Sequence, residues 1–63
     1  MTVNGKPVEY EPVTLLEYLR RHGYQPERVV VERDRGIITK DQFAFVILRE
    51  DDNLNILQFM GGG

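Results

Sequence analysis

The last three residues, Gly61, Gly62 and Gly63, are the part of this sequence whose types and spacing could do chemistry. Glycine lacks a Cβ atom, so such a segment can thread a narrow channel and let another protein's backbone come close. We expect a flexible tail that reaches about 10 Å from the folded body when extended. It would carry the carboxylate of Gly63 into an active site on another protein. The competing interpretation is a frayed end or a remnant of cloning, without a role.

The chemistry at the Gly63 carboxylate would have to come from that other protein. A terminal carboxyl group has an ordinary pKa of about 3.5, so it is ionised at neutral pH and resists nucleophilic attack. An acyl-adenylate would replace the poor leaving group with AMP and make the terminus reactive. Gly5, Gly23 and Gly36 stand alone, so the sequence has no glycine-rich loop that could hold ATP. We therefore expect a partner that binds ATP.

The remaining polar residues predict no catalytic or metal site. Glu50, Asp51 and Asp52 lack the spacing and the glycine of a calcium-binding loop, so we expect a solvated turn. His22 has no nucleophile or carboxylate partner in view, and we expect it at the end of a helix, interacting with the helix dipole. The absence of cysteine excludes thiol nucleophiles, disulfides and zinc-thiolate sites. The sequence predicts a protein that is not itself an enzyme.

Size and composition favour one small domain that does not bind nucleic acid. The 63 residues, 41% of them hydrophobic, can build one modest core but not a deep substrate cavity as well. The net charge of −2 offers no basic surface to a phosphate backbone. We see neither an apolar run long enough to cross a bilayer nor a signal peptide. Because small secreted domains usually depend on disulfides, we expect a cytoplasmic location.

The elements that must position the tail begin with a hairpin and a helix. Asn4-Gly5 predicts a type I′ turn, and residues 8–10 are expected to form the returning strand. Residues 14–17 have the spacing of a capping box, in which the Thr14 hydroxyl and the Glu17 side chain each bond to the other's backbone amide. Gly23 is placed to end that helix in a left-handed cap. The expected apolar stripe of the helix is Leu15, Leu16 and Leu19.

The second half of the chain predicts strands. We expect one strand at residues 29–31, a turn at residues 34–36 leading into a second strand at residues 37–38, and one helical turn at residues 39–43. Residues 45–48 are apolar and too short to type by periodicity, so they predict a short strand or a buried loop. The alternation of residues 54–59 predicts a final strand that runs to Met60.

This order of elements predicts a mixed sheet with one helix packed across one face. We expect a folded domain at residues 1–60 and a flexible tail at residues 61–63. One face of the final strand must be core, whereas the other could dock a partner beside the tail. The candidate docking residues are Leu57, Phe59 and Met60, although core and docking roles remain equally open for Phe59.

Taken together, these motifs resemble the ThiS family, the bacterial sulfur carriers of thiamin biosynthesis, over nearly the whole chain. The family commonly has Gly-Asp in the turn before the last strand, where this chain has Asp51-Asp52. It also usually has asparagine near the end of the third strand, where this chain has Asp34. The resemblance rests on VNGK at residues 3–6, TL with Glu17 and Leu19 from residue 14, IITK at residues 37–40, LREDD at residues 48–52 and LNILQFM at residues 54–60 before the glycines.

The resemblance implies a ubiquitin-like β-grasp fold, an α+β architecture with four to five strands and one main helix. It implies that an adenylyltransferase related to ubiquitin-activating enzymes (ThiF type) uses ATP-Mg to adenylate Gly63. A sulfur donor enzyme would then produce a thiocarboxylate, whose sulfur passes to thiazole synthase (ThiG type). Gly61 and Gly62 would occupy the partner's channel, and the chain would act as a cosubstrate.

Four alternatives stay open. The small subunit of molybdopterin synthase shares the fold, the Gly-Gly end and the thiocarboxylate, but those chains usually run longer. Carriers that serve other sulfur-containing metabolites belong to the same class. The other two alternatives belong to different functional classes, namely a ubiquitin-like protein modifier and a binding module whose glycines are incidental.

Overall fold

A five-stranded mixed sheet, in the order β2-β1-β5-β3-β4, forms one layer of the molecule. The structure is a computed structural model, and it describes residues 1–59. The strands are β1 (Thr2–Val3), β2 (Lys6–Pro7), β3 (Val29–Arg33), β4 (Gly36–Ile38) and β5 (Asn53–Gln58). One helix, α1 (Leu15–Arg21), and two 3₁₀ turns, at Pro26–Arg28 and Lys40–Gln42, complete the fold.

The first hairpin has the predicted turn and a shorter returning strand than expected. Asn4 and Gly5 have φ values of 54° and 80°, which are the positive values that a type I′ turn requires. The returning strand is β2, so the prediction of a strand at residues 8–10 was wrong. The amide of Val8 still donates to the carbonyl of Met1 at 3.0 Å. Beyond it the chain leaves the sheet edge, because half-buried side chains in this segment pack against the core.

The final strand, β5, is the centre of the sheet. It runs parallel to β1 and antiparallel to β3, and it pairs with β3 over five residues. The strand ends at Gln58, so the expectation that it runs to Met60 was wrong for Phe59, which follows the strand. Met60 and the glycine tail lie outside the described residues, and the division into residues 1–60 and 61–63 therefore stays a prediction.

The helix starts at the predicted cap, with one difference. The Thr14 hydroxyl accepts a hydrogen bond from the amide of Glu17 at 3.2 Å. The carboxylate of Glu17 instead lies 3.4 Å from the guanidinium of Arg21, one turn further along the helix. That pair suits the (i, i+4) spacing of a helix surface. The reciprocal bond that would complete the capping box was therefore a wrong expectation.

The helix ends at the predicted glycine. Gly23 has a φ of 80°, and its amide donates to the carbonyl of Arg20 at 3.3 Å. The next amide, of Tyr24, donates to the carbonyl of Leu19 at 2.9 Å. These two bonds are the Schellman arrangement, in which a left-handed residue lets the chain reverse over the last turn.

The core lies between the helix and the inner face of the sheet. Leu15 and Leu19 are fully buried there, as expected, whereas Leu16 is half-buried. Tyr18 is also buried, and the predicted stripe missed it. The buried apolar side chains are Val3, Leu15, Tyr18, Leu19, Val29, Val31, Ile38, Phe43, Leu48, Leu54 and Ile56.

The segment at residues 45–48 is neither a regular strand nor a buried loop. It lies along the start of the helix, where the Leu48 amide donates to the carbonyl of Val13 at 3.0 Å. One bridge pairs it there, and the segment is otherwise irregular. Phe45 and Ile47 are exposed while Leu48 is buried. The expected helical turn before this segment is present and capped by Thr39.

No helix in the described part of the chain is long and apolar enough to span a bilayer.

Candidate functional site

The point from which the tail departs is fixed by two hydrogen bonds to the turn that precedes β3. The amide of Phe59 donates to the carbonyl of Arg28 at 2.8 Å. The side-chain oxygen of Gln58 accepts from the amide of Gln25, also at 2.8 Å. We call this end of β5, with Phe59, the tail exit. The predicted functional residues Gly61, Gly62 and Gly63, and the docking candidate Met60, lie outside the described residues.

Apolar side chains are exposed on the outer face of the sheet beside the tail exit. Leu57 is 62% exposed and Phe59 is 56% exposed. Val30 pairs with Leu57 across the β3–β5 ladder, so their side chains lie on the same face. Ile37 of β4 is 65% exposed. It pairs with Glu32, the next outward-facing residue after Val30 along β3. We call Val30, Ile37, Leu57 and Phe59 the outer apolar patch.

Two of the predicted docking residues lie on the surface, in the outer apolar patch, and not in the core. Alternation along β5 turns Leu54 and Ile56 inward, where both are buried, and leaves Leu57 outward. Both Leu57 and Phe59 are therefore surface residues, and their docking role stays a prediction. Sequence reasoning missed Val30 and Ile37. The alternation of their strands was the available signal, since each neighbours a buried residue.

His22 does have a carboxylate partner, contrary to the expectation from sequence. Its Nε2 lies 2.6 Å from an Oε atom of Glu11, and its ring lies 4.1 Å from the ring of Tyr18. The hydrogen bond with His22 is the main reason that the pKa of Glu11 lies below its ordinary value, and Arg21 adds to the effect. Burial raises the pKa of Tyr18. The carboxylate of Glu11 and the ring of His22 are therefore paired within the domain.

The acidic run is not simply a solvated turn, because Asp52 is buried. Its carboxylate receives two hydrogen bonds from Arg33, at 2.9 and 2.6 Å, and one from the amide of Arg49 at 2.8 Å. Burial alone would raise the pKa of Asp52, but these donors outweigh it and hold the pKa below the ordinary value. Glu50 and Asp51 are exposed, as the prediction has it. Asp52 is therefore a structural residue.

The other polar surfaces of the described residues do not assemble a site. Within residues 1–59, no three His, Asp or Glu side chains are grouped so that they could hold a metal ion. A groove of about 260 Å³ on the helix is lined by Thr14, Leu16, Glu17 and Arg20. The Thr14 hydroxyl already serves as the helix cap, and Glu17 pairs with Arg21. The tail exit and the outer apolar patch are therefore the candidate functional surfaces of the described residues.

Comparison with known proteins identifies relatives over the whole chain. The ThiS family model matches residues 1–63. The sulfur carrier protein ThiS of Bacillus subtilis is 32% identical over 65 residues, which cover 100% of this chain and 98% of that protein. A thiazole synthase of Magnetococcus marinus is 39% identical over 62 residues, 97% of this chain but 19% of the synthase. The chain thus spans about a fifth of the length of that relative.

Solved structures agree with this similarity. The crystal structure of a thiamine biosynthesis protein (ThiS) from Geobacter metallireducens superposes with a TM-score of 0.80 at 33% identity, covering 98% of this chain and 96% of that one. A solution structure of a thiamine biosynthesis protein from the same organism gives a TM-score of 0.77. The expected ubiquitin-like β-grasp fold, a mixed sheet crossed by one main helix, is confirmed.

Proposed function

This chain belongs to the ThiS family, the sulfur carriers of thiamin biosynthesis, and from that membership we propose that it carries sulfur as a thiocarboxylate on Gly63. The observation that carries the proposal is a family match that extends through Gly61, Gly62 and Gly63. The tail exit supports it, because only two residues separate the end of the central strand of the sheet from this segment in the sequence.

The proposed cycle begins at the carboxylate of Gly63. One carboxylate oxygen attacks the α-phosphorus of ATP, pyrophosphate leaves, and an acyl-adenylate remains. A sulfide equivalent from the sulfur donor then attacks the carbonyl carbon, and AMP departs with one of the original carboxylate oxygens. Both steps take place on partner enzymes, and this chain contributes the reacting group. It is a cosubstrate in this scheme, in keeping with a family of small carrier proteins.

The proposed partners are supported by the chemistry and, for the sulfur acceptor, by the relatives. A thiazole synthase of the ThiG type is the proposed sulfur acceptor, supported by a relative of that name that contains a matching segment. A ThiF-type adenylyltransferase is the proposed activating partner, and ATP-Mg is its cosubstrate. We assign docking of these partners to the outer apolar patch, with Leu57 and Phe59 beside the tail and Met60 next along the chain. The cytoplasmic location expected from the sequence stays a prediction.

The test is the intact mass of the protein purified from its native host. A fraction in which one terminal oxygen is replaced by sulfur is the expected result. Deletion of Gly63 should leave the unfolding transition unchanged and abolish ATP-dependent adenylation by the activating partner. The Gly36→Ala variant is a matched control, since it also alters one glycine but lies outside the tail, and it should be adenylated normally.

The outcomes separate the proposed carrier from its alternatives. Adenylation of the Gly63 deletion would contradict the role of the tail. Isopeptide conjugates to other proteins, with no thiocarboxylate, would favour a protein modifier. Transfer of the sulfur to a molybdopterin precursor rather than to thiazole synthase would favour the molybdopterin branch.

A further inference from the structure

Gln58 breaks the apolar pattern of the inward face of β5. Leu54 and Ile56 are the preceding inward residues, and both are buried in the core. The next inward position holds a half-buried glutamine, which pairs in register with the buried Val29. The side chain is partly exposed there, and a hydrogen bond within the protein fixes its position. The donor is the backbone amide of Gln25, at 2.8 Å.

The bond from Gln25 to Gln58 closes a ring of contacts around the tail exit. The amide of Arg28 donates to the carbonyl of Gln25 at 2.8 Å, which closes the 3₁₀ turn. The carbonyl of Arg28 accepts from the amide of Phe59 at 2.8 Å, and Phe59 follows Gln58 in the chain. Three hydrogen bonds therefore join four residues in a cycle, Gln58–Gln25–Arg28–Phe59. We call this cycle the exit clamp.

The turn in the exit clamp is also held from the other side. Lys40 donates from its Nζ atom to the carbonyl of Glu27 at 2.6 Å. The 3₁₀ turn at Pro26–Arg28 is thus attached both to the end of β5 and to the segment after β4. Pro26 restricts the backbone further, because its ring fixes φ. The turn to which Phe59 is hydrogen-bonded is therefore held by contacts on two sides.

We propose that Gln58 is a positioning residue, which sets the direction in which the tail leaves the fold through the exit clamp. This inference rests on the proposed carrier function. Beyond Phe59, the four residues to Gly63 can span at most about 14 Å. A tilt of about 20° at the exit would displace the end of an extended tail by about 4–5 Å. A displacement of that size must be corrected when the partner binds the tail, so the exit direction affects binding.

The expected effect of a loosened clamp is on binding of the carrier rather than on the chemical step. A partner channel that holds the tail orients the Gly63 carboxylate once the complex has formed. Loss of the clamp gives the end of β5 and Phe59 more conformational freedom in the free carrier, and that freedom must be lost on binding. KM for the carrier should therefore rise, while kcat at saturating carrier stays the same.

The experiment compares two substitutions of similar size at one position. Gln58→Met keeps the length of the side chain and removes the oxygen acceptor, whereas Gln58→Glu keeps an oxygen in reach of the Gln25 amide. In adenylation by the ThiF-type partner, we expect Gln58→Met to raise KM for the carrier about 3- to 10-fold, the factor that one net hydrogen bond represents. We expect Gln58→Glu to stay within about twofold of the wild type.

A control separates positioning from loss of stability. Thr14→Ala removes the helix cap at another part of the molecule and should lower the unfolding midpoint without raising KM. The proposal is overturned if Gln58→Met leaves KM unchanged, if Gln58→Glu is as impaired as Gln58→Met, or if Thr14→Ala raises KM equally.

A measurement without a partner keeps this inference distinct from the proposed function. Amide hydrogen exchange at Gln25 should become about tenfold faster in Gln58→Met and remain slow in Gln58→Glu. If wild-type protein is not adenylated, the carrier function fails, whatever the exchange data show. If it is adenylated and the exchange at Gln25 is the same in all three proteins, the exit clamp fails and the carrier function stands.

Discussion

Asp52 is the charged side chain that the fold buries within residues 1–59. Burial of a carboxylate is unfavourable unless donors replace the lost water. Here Arg33 approaches with two nitrogens and the amide of Arg49 supplies a third donor. The Nη2 atom of Arg33 also donates to the carbonyl of Ile47 at 3.0 Å. The pair therefore ties the end of β3 to the turn that precedes β5.

Asp52→Asn should lower the free energy of unfolding at neutral pH by about 2–3 kcal/mol, because it leaves Arg33 half-buried without its counter-charge. A domain of this length is stable by only about 3–9 kcal/mol, so the loss is a large share of the total. The wild-type pKa of Asp52 is lowered in the folded state. Its stabilisation is therefore complete above the ordinary pKa near 4 and is lost as the pH falls through the folded pKa. Urea unfolding across about pH 2–7, a range that covers the titration of carboxyl groups, measures both effects.

The neighbouring residue provides the matched control for this substitution. Asp51 is exposed, so Asp51→Asn should leave the unfolding free energy and its acid dependence nearly unchanged. Asp52→Asn should flatten the acid dependence, and Glu11, whose pKa is also lowered, should contribute to the slope that remains. Equal losses in the two variants would contradict a special role for the buried carboxylate.

Among the elements, those defined by local chemistry were predictable and those defined by distant contacts were not. Asn4-Gly5, the Thr14 cap and Gly23 each act on backbone within a few residues, and all three lie where the sequence placed them. The contact between Glu11 and His22 joins a loop to a helix end, so no local pattern announced it. The burial of Asp52 likewise depends on an arginine 19 residues away in the sequence.

At the tail exit, too, the features set by local sequence were predictable and those set by distant contacts were not. Alternation along β5 predicted which side chains face the core, because a strand's side chains have a period of two. It could not show that the strand ends at Gln58, since that end is set by the turn at Pro26–Arg28 through the exit clamp. The docking roles of Leu57, Phe59 and Met60, and the modification of Gly63, stay predictions.

At the helix end, Gly23→Ala should lower the free energy of unfolding by about 1 kcal/mol. An added Cβ would meet no atom within 4 Å, so the cost is that of holding alanine at a φ of 80° and not of a clash. Gly36→Ala is the matched control, because its backbone is not in that region and its Cβ would make an ordinary contact at 3.9 Å. Chemical denaturation of the two variants measures the difference, and a Gly36→Ala loss as large as that of Gly23→Ala would refute the explanation.

At the scale of the whole molecule, residues 1–59 expose large apolar side chains in two places. The outer apolar patch borders the tail exit on one face of the sheet. Phe45 and Ile47 are exposed on a segment that is hydrogen-bonded to the start of the helix, which packs on the opposite face. Substitutions on the two surfaces therefore distinguish a docking role from a general effect of exposed apolar side chains.

Leu57→Ser should raise KM for the carrier in partner-catalysed adenylation by at least about tenfold, because it removes an apolar contact beside the tail. Phe45→Ser removes an apolar side chain that is more exposed than Leu57, from the other surface, and should leave KM nearly unchanged. Neither side chain is in the core, so both variants should unfold close to the wild-type midpoint. Similar KM values for Leu57→Ser and the wild type would exclude the outer apolar patch as the docking surface.

The central position of β5 has a consequence for how the protein is made. As the nascent chain leaves the ribosome, β1 has only β2 to pair with, and β3 has only β4. Isolated two-stranded hairpins are marginally stable in water, and their unpaired edges invite aggregation. Translation must therefore deliver β5 before either half of the sheet is secure. A product that stops short of β5 would stay open to proteases, so the segment leading to the tail is present in every copy that survives folding.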